Sequence, residues 1–388
     1  MYVTRPFSMY KKFASELFSP PPEGPNFGVL VIQDEEPEVI VSCWFGLCKL
    51  KDYNVRELPF PQNKELLLQY RVYYRGDDDS ANFRKYDYYP VLLIPVLNQP
   101  LSSNRYYAIL PRGWHKGKAL ASSKEEDVTT ICCCNCIHDD IYQQFEIHPH
   151  KQGSFNVKSV AQDGFPPNLL RIRGLQVFTS SSRIAQLSEA PGLDATLGAC
   201  LPELNFPLSC KSSSPVVVGK WYSPFMFIKE GIVKDHIRTS MYYEITLVHK
   251  WKQIFECENH GNKGNAVAVD VSVHKELVSI AGREVHERNV ADQVMWFRSS
   301  SDAGGEVTVG LSLAIVERMK WEEERFGWIS GNEEKPSVTK GEEYAGIVRW
   351  KKFGCHVLVE SFILKRMDGS LILTYDFNHT NQIRSRWD

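Results

Sequence analysis

Residues 355–366 read CHVLVESFILKR, residues 367–370 read MDGS, and residues 371–377 read LILTYDF. Two apolar-rich runs around an Asp-Gly pair predict an antiparallel hairpin, and Asp-Gly suits a type I′ turn. In the second run Leu371, Leu373, Tyr375 and Phe377 recur at every second position. Successive strand side chains point to opposite faces, so these four share the inner face of the hairpin. The pattern returns upstream. In AVAVDVSV, Val267, Val269, Val271 and Val273 alternate with Ala266, Ala268, Asp270 and Ser272. In EVTVGLSLAIV the alternating set is Val307, Val309, Leu311 and Leu313. Each alternation predicts a half-buried strand.

Helical spacing is clearest in ITLVHKWKQIFECEN at 245–259, where Leu247, Trp251 and Ile254 fall on one side behind Thr246 as the N-cap. A second, shorter helix is predicted over ERMKWEEERF at 317–326. In the first half, strands are predicted at Gly28–Asp34, Val39–Trp44, Leu66–Tyr74, Val91–Val96 and Tyr106–Leu110. Prolines at 59, 61, 90, 95 and 100 keep helices out of this region. The tyrosine-rich RVYYRGDDDSANFRKYDYYP at 71–90 reads as a polar, mobile loop. The fold class expected is α+β, mainly β, with two β-rich units and a few short helices. The boundaries drawn are an extended lead-in over 1–26, an N-terminal β-rich unit over 27–199, a linker at 200–215 and a C-terminal α+β unit over 216–388. The lead-in contains SPPPEGPN, whose prolines lack amide donors, and the linker lies in a Ser-, Pro- and Gly-rich stretch.

The formal net charge of −2 supplies no concentrated basic surface, so nucleic acid and anionic membrane are not expected partners. The opening MYVTRPFSMYKKF lacks the apolar run of an export signal. No window approaches the roughly eighteen apolar residues of a membrane-spanning helix. Ten cysteines without an export signal imply free thiols in a reducing compartment. The expected location is the cytoplasm, with the nucleus or the inner face of the plasma membrane as further possibilities.

Four cysteines crowd ICCCNCIHDD at 131–140, and HPH follows at 148–150. Cys133 and Cys136 form a C-x2-C pair, and with His148 and His150 they would make a tetrahedral zinc site, the one cofactor the sequence suggests. The same Cys132, Cys133, Cys134 and Cys136 also suit S-acylation. As small apolar residues on a buried strand they need no function at all, and this is the favoured reading. RGWHKGK at 112–118 offers Arg112, His115, Lys116 and Lys118 to an anion. It is one residue short of a P-loop, and Ala119 stands where Ser or Thr would hold magnesium. A plain basic turn is favoured there. No nucleophile elbow, kinase signature, zinc-protease helix or dinucleotide fingerprint occurs, so no catalytic residue is assigned.

The segments MYVTRPFSMYKK, PPPEGPNFGVLVIQDEE, LPFPQNKELLLQY, PVLNQPLSSNRYYAI, YQQFEI, DGFPPNLLR, VVVGKWYSPFMFIKEG and VERMKWEEERFGW follow one another along the chain. In that order they resemble the plant family defined by domain of unknown function 1262. The resemblance implies a land-plant, non-secreted protein responsive to stress or pathogen signals, and it carries no catalytic residue. Some members bear a label alluding to insecticidal crystal toxin. The lead expectation is a non-enzymatic protein that binds an unknown protein or small-molecule ligand. The alternatives are a hydrolase or transferase with a site between the two units, and a membrane-acting, pore-forming-like β protein.

Overall fold

The computed structural model describes every residue except 22, 36–39, 44–47, 52, 75–82, 127–132, 135–138, 184–185, 232, 262–263, 301–304 and 330–333. Strands dominate and helices are few, as the periodicities require. The chain forms two compact units. The first comprises Met1–Ala190, Pro224–Met226 and Gly231–Tyr242, and the second Pro191–Ser223, Phe227–Glu230 and Tyr243–Asp388. No helix among the described residues is long and apolar enough to cross a membrane.

In the first unit, Tyr2–Pro6 pairs in parallel with Gly28–Ile32. A larger antiparallel sheet runs in the order Cys133–Cys134, Ala119–Leu120, Arg105–Ile109, Phe83–Pro95, Lys64–Tyr74, Gln176–Arg183 and Asn54–Val55. Its core gathers Phe60, Leu68, Val91, Tyr106, Phe145 and Phe155, with Phe60 meeting Tyr106 and Phe155 edge-on. Of the tyrosine-rich stretch expected as a loop, 71–74 and 83–90 instead continue this sheet, and 75–82 lie outside the described residues. Phe83–Pro95 is one strand, registered against Lys64–Tyr74 from Tyr74 opposite Phe83 to Leu66 opposite Val91. Tyrosine and phenylalanine favour a pleated surface, and that preference outweighs the polar residues between them.

In the second unit the main sheet runs in the order Val216–Pro224, Tyr242–Glu258, Lys352–Arg366, Leu371–Trp387, Glu276–Ile280 and Arg283–Glu284. The predicted hairpin forms its centre, and Leu373, Tyr375 and Phe377 are all buried. Its turn differs from the expectation. Residues 367–369 make a three-residue loop in which Gly369 has φ 85°, and Arg366 N–H donates to the Ser370 carbonyl at 2.9 Å. A left-handed glycine closing such a loop serves the same reversal as a two-residue type I′ turn.

The helix expected at 245–259 does not exist. Tyr242–Glu258 is a 17-residue strand, registered along its length against Lys352–Arg366. Tyr243, Ile245, Leu247, His249 and Trp251 are buried along one face, with Tyr242 and Val248 buried on the other. His249 is the one polar side chain in that set. Leu247 and Trp251 satisfy a four-residue spacing and a two-residue spacing alike, and sheet pairing decides between them.

A smaller sheet runs in the order Ile228–Glu230, Glu306–Ser312, Val294–Ser300 and Glu287–Ala291. The expected Val307–Leu313 alternation stops early, because Leu313 opens a helix over Leu313–Glu324 where the second helix was predicted. The helix lies on the main sheet, with Trp328, just past its end, edge-on to Phe377 at 5.1 Å. Val267 and Val269 bury as predicted, against Trp350, Phe353 and Cys355.

Phe377 touches Phe362, Tyr375 and Trp328. Phe377→Ala is expected to cost about 3–5 kcal/mol, read as a lowered urea midpoint with Trp fluorescence.

Candidate functional site

The alternation that buries Trp251 also delivers His249 to the interior. Residues directly opposite on adjacent strands present their side chains to the same face. His249 lies opposite Glu360, Glu360 lies opposite Phe377, and His379 lies opposite Leu358. Glu360 therefore stands mid-sheet, with an imidazole across from it and another diagonal to it. The helix adds Glu323 from above. All four are shut away from water, with exposures of 0% for Glu323, 1% for Glu360, 1% for His249 and 2% for His379.

The two oxygens of Glu360 face different imidazoles. Oε1 is 2.5 Å from His249 Nε2, and Oε2 is 2.5 Å from His379 Nε2. The same His379 nitrogen is 3.2 Å from Glu323 Oε2. The Glu323 Oε1 atom, Nδ1 of His379 and both ring nitrogens of His249 are buried without a well-aligned hydrogen bond, the His249 Nε2 contact with Glu360 Oε1 being close but poorly directed. Phe326 covers His249, its ring centroid 6.3 Å from the imidazole. Phe326 fits there because residue 198 is glycine: a Cβ at Gly198 would lie 2.7 Å from Phe326 Cζ.

The two carboxyls end in opposite states although burial acts on both alike. Burial, with Glu360 alongside, pushes Glu323 well above the usual carboxylate range, so its proton is retained. Burial pushes Glu360 the same way, but hydrogen bonds from Glu323, His249 and His379 outweigh it and hold Glu360 ionised. Among the described residues, Glu323, Glu360 and His379 are the group of His, Cys, Asp or Glu whose ligand atoms converge, all within 4.8 Å of one another.

Beside this sealed cluster the second unit carries an open cleft of about 500 Å³. His274, Lys275, Glu276, Glu284, His286, Glu287, Arg288, Lys320 and Glu334 supply both signs of charge to its walls. Glu276 is its most constrained group. Burial raises its pKa, but the Tyr375 hydroxyl and the Lys320 and Arg288 cations overcome that and hold it below the ordinary range. Tyr375 donates at 2.5 Å, Arg288 at 3.0 Å, and Lys320 Nζ lies 3.3 Å away. A carboxylate this firmly ionised is a weak general base.

The sites expected from sequence lie in the first unit. Cys133 and Cys134 form a two-residue strand registered against Leu120 and Ala119, and Cys132 and Cys136 lie outside the described residues. His148 Nε2 is 3.1 Å from Glu146 Oε1, and His150 Nδ1 is 3.2 Å from Asn156 Nδ2. Neither histidine belongs to the converging group above. In the 112–118 loop, Arg112 bonds Glu65 at 2.7 Å. The amides of Lys116, Gly117 and Lys118 donate to carbonyls of Gly113, Leu110 and His115. The His–Glu cluster had no local signature, because its successive members are 74, 37 and 19 positions apart along the chain. The one available signal was a histidine at a core position of a period-two run.

A family described as protein of unknown function (DUF1262) matches residues 23–134. No curated protein matches the chain. Among solved structures, one titled as the crystal structure of Cry35Ab1 is similar in fold at a TM-score of 0.46 and 14% identity, covering 84% of this chain and 90% of that one.

Two stability predictions follow from the carboxylates. In chelator-treated protein, Glu360→Ala is expected to cost about 3–5 kcal/mol in urea unfolding, since it removes the anion that His249 and His379 surround. Glu276 has a lowered native pKa, so its contribution is present above the ordinary glutamate range and is lost as pH falls through the native value. Glu276→Gln should therefore flatten the acid limb of the stability–pH curve, read as urea midpoints from neutral pH downward.

Proposed function

We propose that this chain is a non-enzymatic binding protein whose recognition surface is the charged cleft of the second unit. The observation that carries the reading is the pairing of Glu276 with Tyr375, Arg288 and Lys320. Preformed ion pairs around Glu276 offer fixed donors and acceptors to a polar ligand, and the Glu276 carboxylate is held ionised rather than poised to take up a proton. The His–Glu cluster, with its four side chains sealed from water, cannot meet a substrate. The cleft's volume is in the range of small-ligand and peptide-segment sites. Cations and carboxylates interleave along its walls, which favours a ligand bearing both signs of charge, such as a segment of a partner protein. The association with stress or defence that the sequence resemblance implies is compatible with such a role.

The test is selection of peptides of mixed charge on immobilised protein, followed by calorimetry. Binding is expected in the micromolar range, weakened at least about tenfold by Arg288→Gln with Lys320→Gln and reduced by added salt. Turnover of a small molecule that the same pair of substitutions abolishes would overturn the reading.

A further inference from the structure

The geometry points to a second, separate site: we propose that Glu323, Glu360 and His379 bind a divalent transition-metal ion, with His249 positioning Glu360 from behind. Three ligand atoms from three different elements already converge there. Glu323 comes from the Leu313–Glu324 helix, Glu360 from the Lys352–Arg366 strand and His379 from the Leu371–Trp387 strand. His379 Nε2 has a carboxylate oxygen at 2.5 Å and another at 3.2 Å, and a single ring N–H can serve only one of them well. An ion at that point would accept the nitrogen lone pair and both oxygens together.

The oxygens of Glu360 divide in the manner of a metal ligand with an outer partner. Oε2 faces His379 and Oε1 faces His249. A carboxylate that ligates through one oxygen and is held by a hydrogen bond at the other is a recurrent arrangement around protein-bound metals. The buried, unpartnered Glu323 Oε1 gives that residue a second oxygen to offer. Charge balances once the ion displaces the Glu323 proton to solvent, since the two ionised carboxylates then sum to −2, which a dication neutralises in a buried site.

The donor set narrows the ion. Magnesium and calcium prefer oxygen ligands alone, and the absence of thiolate among the converging atoms disfavours soft ions. Imidazole with carboxylate suits zinc, cobalt, manganese or iron in the divalent state. Because the site is closed, the ion's part is to tie the helix to the sheet, and its loss should appear in stability rather than in catalysis.

The test uses the full chain, stripped with chelator and titrated with zinc, with Co(II) absorption as a second readout. About one ion per chain is expected, with a higher thermal midpoint on loading and visible ligand-field bands for cobalt. Glu323→Gln keeps the shape of the protonated carboxyl, so it should fold when stripped yet bind zinc about 100-fold more weakly; His379→Gln should do the same. His249→Gln should weaken zinc by roughly 10-fold, the usual effect of losing an outer partner. Cys133→Ser with Cys136→Ser should leave binding unchanged. The proposal is overturned if stripped, folded wild type takes up no metal. It is overturned equally if the bound ion survives Glu323→Gln and His379→Gln but is lost with the cysteines.

Discussion

Glu360 is a carboxylate placed mid-sheet with no path to water, and the second unit is arranged around that constraint. A bare buried charge costs several kcal/mol even after relaxation. The structure meets the cost with two imidazoles from the flanking strands and a protonated Glu323 from the helix above. Registration of three strands is thereby tied to electrostatics as well as to packing. A one-residue slip of Tyr242–Glu258 would turn His249 to the opposite face and leave Glu360 Oε1 without its neighbour. Apolar contacts alone would tolerate such errors more readily.

The same face carries the aromatic packing. Phe377 lies opposite Glu360 and stacks with Tyr375 at 4.7 Å. The Tyr375 hydroxyl then reaches Glu276 at the cleft. One ladder of alternate residues on Leu371–Trp387 thus supplies the core, the sealed cluster through His379 and, through Tyr375, a hydrogen bond to the cleft residue Glu276. The two polar features differ in kind. The cluster is closed and suited to holding an ion, whereas the cleft is open, mixed in charge and suited to recognition.

Particular residues show which parts of this were legible beforehand. The hairpin around MDGS and the Val267–Val273 alternation were readable because neighbours on one strand carry their own period. The helix over ERMKWEEERF was readable for the same local reason. The strand at Tyr242–Glu258 differs from the expected helix because Leu247 and Trp251 fit two periods, and the pairing with Lys352–Arg366 decides between them. The tyrosines at 86 and 88 were taken for loop residues, although their alternation is that of a strand.

By itself, the amino-acid sequence determined that the protein is mainly β and that the central hairpin turns near Gly369. These are properties of composition and of neighbours within a few positions. Only the tertiary structure decided that His249, Glu323, Glu360 and His379 meet, and that one carboxyl keeps its proton while the other loses it. Burial and charge act through space, and residues brought together from four separate segments leave no mark of that meeting in any one of them.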